Sequence, residues 1–232
     1  MNNSAPHSPV GQRFVAWTAI IGATLAWFHV LSYMMTGGGD LEALFKPAVA
    51  LSLGASAQAW FLISMLVDCF GYYLPFLAVG AYLWSQQRAA HGALADTALL
   101  CLVVYVVLGV AGAAMQIAAL PPLTALHGSA DPATKAASEA AWLALVHGTE
   151  RGLWLLSGPV LAFWAIVTGR HLLGERRVWG KLLTACGALY AVGFVSALVG
   201  PDALTQGSQF LALLMLPLWM LLYGSGLLRR HA

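Results

Sequence analysis

Three ionisable residues, His147, Glu150 and Arg151, stand together just before an uncharged stretch of 18 residues, 152–169. They fall at i, i+3 and i+4, which puts them on one face of an α-helix. A histidine and a carboxylate can exchange a proton, and an arginine binds anionic groups. These residue types at this spacing predict a binding or proton-transfer site at the head of a membrane helix.

Other polar residues reach the same depth. Asp68 and Tyr72 share a face of the second apolar segment, while His29 lies on the first and Gln116 on the third. Counting about 20 residues per span from the inner ends brings these residues to one level, just under the outer surface. We therefore predict one outward-facing ligand or proton site from Asp68, His147, Glu150, Arg151, His29, Tyr72 and Gln116.

The same residues allow structural interpretations. Polar groups gather at a membrane interface because burying them costs less there. Arg151 could also neutralise Asp68 or Glu150, a charge lock that joins two helices. No cofactor is predicted, since Arg151 would repel a metal ion. A haem or metal ion held by His29 and His147 is an alternative that rests on their matched depth.

The composition is that of a membrane protein. Hydrophobic residues make up 60% of the 232-residue chain and charged residues 9%, against about 25% charged in soluble domains. The net charge of +2 and the lack of a basic run exclude nucleic acid as a partner. Cys69, Cys101 and Cys186 are scattered singly, without metal-ligand spacing.

Six apolar segments predict an all-α bundle of six transmembrane helices, with the lipid bilayer as partner. Residues 1–12 are predicted to be a cytoplasmic tail and 13–230 a single bundle. A connection within 37–59 contains a predicted surface helix, 41–55. The predicted membrane helices are 14–36, 60–86, 97–120, 141–169, 182–200 and 210–228.

Lysine and arginine predict the orientation. With the N-terminus in the cytoplasm, eight basic residues lie inside and only Lys46 and Lys135 outside. This bias is typical of both termini being cytoplasmic. The eight inner residues are Arg13, Arg88, Arg170, Arg176, Arg177, Lys181, Arg229 and Arg230.

Each outward-to-inward helix also contains a proline, Pro75, Pro159 or Pro217, followed 13, 11 or 12 residues later by an arginine. This regularity predicts three related helical hairpins, with the even helix of each bent in its middle. A proline also frees the carbonyl one turn earlier. The freed carbonyls are those of Gly71, Leu155 and Leu213.

Val146 and residues 147–228 include the stretches VHGTERGLWLLSGPVLAFWAIVTGRHLL, WGKLLTACGALYAVGFVSALVG and LLMLPLWMLLYGSGLL. These stretches resemble an uncharacterised bacterial family of six-helix integral membrane proteins, a domain of unknown function. The resemblance implies the six-helix fold and a multi-pass protein of the bacterial cytoplasmic membrane. It implies no activity, and Glu150 and Arg151 lie outside its pattern.

The sequence thus predicts a membrane protein that binds or passes a small ligand or a proton. A lipid-like or small anionic ligand would suit Arg151. One alternative is a membrane enzyme on a lipid or quinone-like substrate, with His147 and Glu150 as acid and base. Another is a structural accessory subunit of a membrane complex. The oligomeric state stays open.

Overall fold

The computed structural model describes residues 9–37, 40, 42–200 and 202–229, and the regular elements among them are all helical. The predicted all-α fold is thereby confirmed. Two π-helical segments, Cys69–Tyr73 and Gly148–Trp154, join α3 to α4 and α6 to α7 without a break. The α-helices are α1 (Pro9–Thr36), α2 (Pro47–Leu51), α3 (Ala55–Asp68), α4 (Leu74–His91), α5 (Ala93–His127), α6 (Pro132–His147), α7 (Leu155–Glu175), α8 (Arg177–Val199) and α9 (Asp202–Leu228).

Six helical units are long and apolar enough to cross a membrane: α1, α3–α4, α5, α6–α7, α8 and α9. Large apolar side chains such as Trp17, Val107 and Val195 point outward and are more than half exposed, at 55%, 59% and 56%. Apolar residues that cover the outside of a bundle belong against lipid. The architecture is that of a multi-pass membrane protein.

The six units form a closed ring in chain order. α1 packs against α3 and α9, α4 against α5, α5 against α6 and α7, α7 against α8, and α8 against α9. Each unit therefore contacts the units before and after it, and the first contacts the last. Every unit presents one face to a common interior.

Large aromatic side chains fill one half of that interior. Phe76 from α4 contacts Trp164 from α7 at 5.5 Å between ring centroids, and Trp219 from α9 stacks on Tyr223 at 5.2 Å. Trp164 and Trp219 meet edge to face at 6.0 Å. We call Phe76, Trp164, Trp219 and Tyr223 the aromatic plug. All four are at most 2% exposed, so the ring is closed at this level.

A second apolar cluster covers the other end of the ring. Phe61 and Trp142 meet edge to face at 6.2 Å, and the Trp142 Nε1–H donates to the Leu44 carbonyl at 2.9 Å. α2 buries Ala50 and Leu51 in this cluster. Within the predicted surface helix 41–55, the α-helical part is α2, and it packs on α5 and α6; residue 41 lies outside the described residues. The position of α2 at the membrane surface stays a prediction.

The helices extend beyond their apolar segments. α5 begins at Ala93 and passes through Pro121 and Pro122 to His127, so its 35 residues make about 50 Å. A bilayer core is only about 30 Å thick. The predicted tail 1–12 is also shortened, because α1 begins at Pro9 and the Gln12 amide donates to the Leu227 carbonyl at 3.3 Å; residues 1–8 lie outside the described part.

The orientation of the ring can be tested with single cysteines at Ser129, after α5, and at Gly174, near the end of α7, both exposed. In a variant lacking Cys69, Cys101 and Cys186, we expect Ser129→Cys to react with an impermeant thiol reagent on intact cells. Gly174→Cys should react only after the cells are opened, because the basic residues lie inside. Labelling of Gly174→Cys from outside would reverse the orientation.

Candidate functional site

The two π-helical segments place a carboxylate each. Asp68 is the last residue of α3 before Cys69–Tyr73, and Glu150 lies within Gly148–Trp154. Each segment is followed by a proline of the predicted hairpin pattern, Pro75 or Pro159. π-Helical turns are rare and occur frequently at functional sites. The third proline, Pro217, lies inside α9, which is α-helical throughout.

Both carboxylates line one cavity of about 200 Å³. The cavity lies on one side of the aromatic plug, and the C-terminal ends of α4 and α7 lie on the other. Its walls come from α3, α5, α7, α8 and α9 and from both π-helical segments. Acidic and hydroxyl-bearing side chains are part of the lining, which is unusual for the inside of a membrane bundle. The lining residues are Asp68, Tyr72, Tyr73, Tyr105, Glu150, Trp154, Leu155, Ser157, Gly158, Tyr190, Phe194, Gln209 and Leu213.

The cavity residues of the three even units share one spacing. Asp68, Glu150 and Gln209 each precede an arginine by 20 residues: Arg88, Arg170 and Arg229. This equal distance explains why side chains from three different units reach the same level. The hairpin relationship itself stays a prediction.

The two acidic residues have uncharged polar neighbours. Asp68 is only 5% exposed, and Tyr73 lies close to it in the cavity lining. Glu150 is partly buried and accepts from the Gln116 amide at 3.4 Å, while that amide also donates to the Thr149 hydroxyl at 2.7 Å. Within the described part of the chain, neither carboxylate forms an ion pair.

His29 lies beside this site without lining the cavity. Its Nδ1 is 2.9 Å from the Ser64 carbonyl, which can only accept, so Nδ1 carries a proton. The His29 ring meets the Tyr72 ring edge to face at 5.8 Å. Its Nε2 is then an acceptor, and the His29 ring lies near Asp68.

The aromatic lining donates its hydrogen bonds to backbone carbonyls. The Tyr72 hydroxyl donates to Leu213 at 2.7 Å, and the Tyr105 hydroxyl donates to Tyr72 at 3.1 Å. The Trp154 Nε1–H donates to Gly109 at 3.2 Å. Leu213 is the carbonyl that Pro217 frees in α9, so Tyr72 restores a missing helical hydrogen bond.

Glycines of α5 give these rings their space. A Cβ at Gly109 would overlap the Tyr73 ring, and a Cβ at Gly112 would overlap the Trp154 ring. Gly109 and Gly112 therefore let aromatic side chains from both π-helical segments lie against the α5 backbone.

The predicted charge lock by Arg151 is wrong in this structure. Its side chain is exposed, and among the described residues it makes no ion pair with Asp68 or Glu150. Arg151 follows Glu150 directly in the π-helical segment, and neighbouring residues of a helix point in different directions. Glu150 therefore lines the cavity, and its neighbour in sequence points away.

His147 is also separated from the cavity. It is the last residue of α6, and its ring meets the Phe45 ring edge to face at 6.0 Å. His147 and Glu150 consequently do not line one pocket as an acid and base would. Within the described residues, no three His, Cys, Asp or Glu side chains are grouped to hold a metal ion.

Of the seven predicted residues, Asp68, Tyr72 and Glu150 line the cavity, and His29 and Gln116 contact lining residues. Tyr190, Phe194 and Gln209 were missed. Gln209 could have been found from its 20-residue distance to Arg229, the same distance that links Asp68 to Arg88. Tyr190 and Phe194 carry no such signal.

No family model, curated protein or solved structure matches this chain. The resemblance of residues 147–228 to an uncharacterised bacterial membrane family therefore stays a prediction.

The Tyr72–Leu213 hydrogen bond predicts non-additive mutations. Tyr72→Phe leaves the Leu213 carbonyl unpaired and should destabilise the protein by about 1–3 kcal/mol. In a Pro217→Ala background, the new backbone N–H can bond to Leu213, so Tyr72→Phe should cost less. Thermal unfolding of the four proteins in detergent measures the coupling. Equal effects of Tyr72→Phe in both backgrounds would contradict this role of Tyr72.

Proposed function

We propose that this multi-pass membrane protein binds or passes a small ligand or a proton at the Asp68–Glu150 cavity. The observation that carries this proposal is the placement of two carboxylates in one intramembrane cavity without an ion pair among the described residues. Acidic residues that serve only to join helices would be expected to pair with a basic side chain.

The energetic cost supports a functional role. An acidic residue at the centre of a membrane helix costs about 2.5–3.5 kcal/mol on insertion scales, and ionisable residues in such positions mark substrate or proton pathways. Glu150 also lies within electrostatic range of Asp68. Two like charges in one cavity oppose each other, which favours the uptake of a proton or another cation.

The groups that face the two carboxylates fit proton exchange. His29 on α1 and Tyr73 in the first π-helical segment lie near Asp68, and Gln116 donates to Glu150 from α5. The His29 Nδ1–H is bonded to the Ser64 carbonyl, and its Nε2 is left as an acceptor. The cavity therefore contains acceptors, and a further acceptor stands next to it.

The proposed location follows from the sequence. On this proposal the chain lies in the cytoplasmic membrane of a bacterium, with both termini inside and the cavity nearer the outer surface. The lysine and arginine bias supports the orientation. The resemblance of residues 147–228 supports the bacterial family.

Reconstitution into liposomes tests the proposal. With a pH-sensitive dye inside and a potassium diffusion potential across the membrane, the wild type should admit protons. Asp68→Asn and Glu150→Gln should each slow this flux roughly tenfold or more, because proton transfer by a positioned side chain contributes at least that much. Small molecules that co-purify with each protein are identified by mass spectrometry in parallel.

Glu42→Gln is the matched control, because Glu42 is exposed and remote from the cavity and the change removes the same charge as Glu150→Gln. It should leave both measurements unchanged. Loss of a bound small molecule in Asp68→Asn, without proton flux in any protein, would support the binding form of the proposal. Identical flux and identical bound molecules in wild type and both cavity variants would refute it.

A further inference from the structure

We infer that the cavity binds a small organic ammonium ion, an inference that rests on the proposed function and names its ligand. The cavity combines two carboxylates, aromatic side chains and several hydrogen-bond donors that are already engaged with the backbone. A cation that carries N–H or N–CH₃ groups complements all three features.

The engaged donors give the cavity its chemical character. The hydroxyls of Tyr72 and Tyr105 and the indole N–H of Trp154 donate to backbone carbonyls. The Ser157 hydroxyl donates to the Trp154 carbonyl at 2.6 Å. What remains for a ligand is mainly acceptors, which bind N–H donors well and anions poorly. Tyr190 and Gln209 complete the polar lining and can accept as well as donate.

The rings add a second attraction for positive charge. Tyr73 and Tyr105 lie 5.1 Å apart between ring centroids, and Trp154, Tyr190 and Phe194 form other parts of the wall. A cation over an aromatic face gains about 0.5–1 kcal/mol at exposed sites and about 2 or more when desolvated. Aromatic walls with carboxylates nearby are a suitable environment for an ammonium group.

The charge distribution argues against an anionic ligand. Arg151, from which an anionic ligand was predicted, is exposed and outside the lining. His29 lies beside the Tyr72 ring and also outside the lining. Among the described lining residues, the side chains of the Asp, Glu, His, Lys and Arg types are Asp68 and Glu150, and both are acidic.

The volume limits the size of the ligand. The cavity holds about 200 Å³, below the range of about 300–1,000 Å³ for pockets that enclose drug-sized molecules. An alkylammonium of a few carbon atoms fits this space. The head group of an aminophospholipid carries the same chemistry, and the experiment must separate the two sources.

The test is a titration of the delipidated full-length protein in detergent with ethylammonium and tetramethylammonium chloride at one pH. A ligand that binds the folded state raises the unfolding temperature in a saturable way. We expect this rise with both ammonium ions and no comparable rise with tert-butanol, sodium chloride or sodium acetate. The alcohol matches the shape of an ammonium ion without its charge, and the salts match the ionic strength.

Three variants connect the binding to the cavity. Asp68→Asn and Glu150→Gln should each weaken ammonium binding about tenfold, because each removes a buried charge that faces the cation. Glu42→Gln should leave the affinity unchanged. Gln209→Glu places a third carboxylate on the cavity wall and should tighten binding, a gain that loss of folding cannot imitate.

The same titration in nanodiscs, with phosphatidylethanolamine or with phosphatidylglycerol, separates the sources. Stabilisation by phosphatidylethanolamine alone, abolished by Glu150→Gln, would keep the ammonium chemistry and assign it to a lipid head group. Equal shifts with tert-butanol and tetramethylammonium, or ammonium shifts that survive both cavity variants, would overturn the inference. If proton flux still depends on Asp68 and Glu150 in that case, the proposed function stands and only its ligand is wrong.

Discussion

The hydrogen bond from Tyr72 to the Leu213 carbonyl is the interaction on which the cavity depends. Pro217 removes the backbone partner of that carbonyl, and a buried unpaired carbonyl costs about 1–3 kcal/mol. The Tyr72 hydroxyl satisfies it across the ring at 2.7 Å, while the Tyr72 carbonyl in turn accepts from Tyr105. The irregular backbone and the tyrosines therefore depend on each other. Because the tyrosine hydroxyls are hydrogen-bonded to backbone carbonyls, the carboxylates remain as the reactive part of the lining.

The π-helical segments explain how the ring tolerates two acids. Each segment adds residues to a turn, so Asp68 and Glu150 face the interior while large apolar neighbours such as Phe70 and Leu156 face outward. Arg151 is exposed, because neighbouring residues of a helix point in different directions. The irregular segments thus bring both acids to the cavity, while the basic neighbour of Glu150 stays outside it.

Much of the fold could be predicted from apolar segments and their flanks, because bilayer thickness sets a minimum helix length. Asp68, Tyr72 and Glu150 were predicted in the same way, by counting the residues of one membrane span from the inner end of each helix. Arg151 and His147 were misplaced because no residue pattern marks a π-helical turn, and their spacing was read as α-helical. Tyr190 and Phe194 were missed because depth counting starts from charged residues, and α8 has none between Lys181 and Val199.

The aromatic plug determines what kind of passage the ring could support. Phe76, Trp164, Trp219 and Tyr223 are packed against one another and at most 2% exposed, so a solute in the cavity meets no continuous aqueous route beyond it. The Trp219 Nε1–H has no acceptor in the described part of the chain. A conformation of the plug that gave this N–H an acceptor would be stabilised by the new hydrogen bond. Movement through this ring would then proceed one solute per rearrangement, at the microsecond-to-millisecond pace of collective helix motions, like a carrier rather than an open pore.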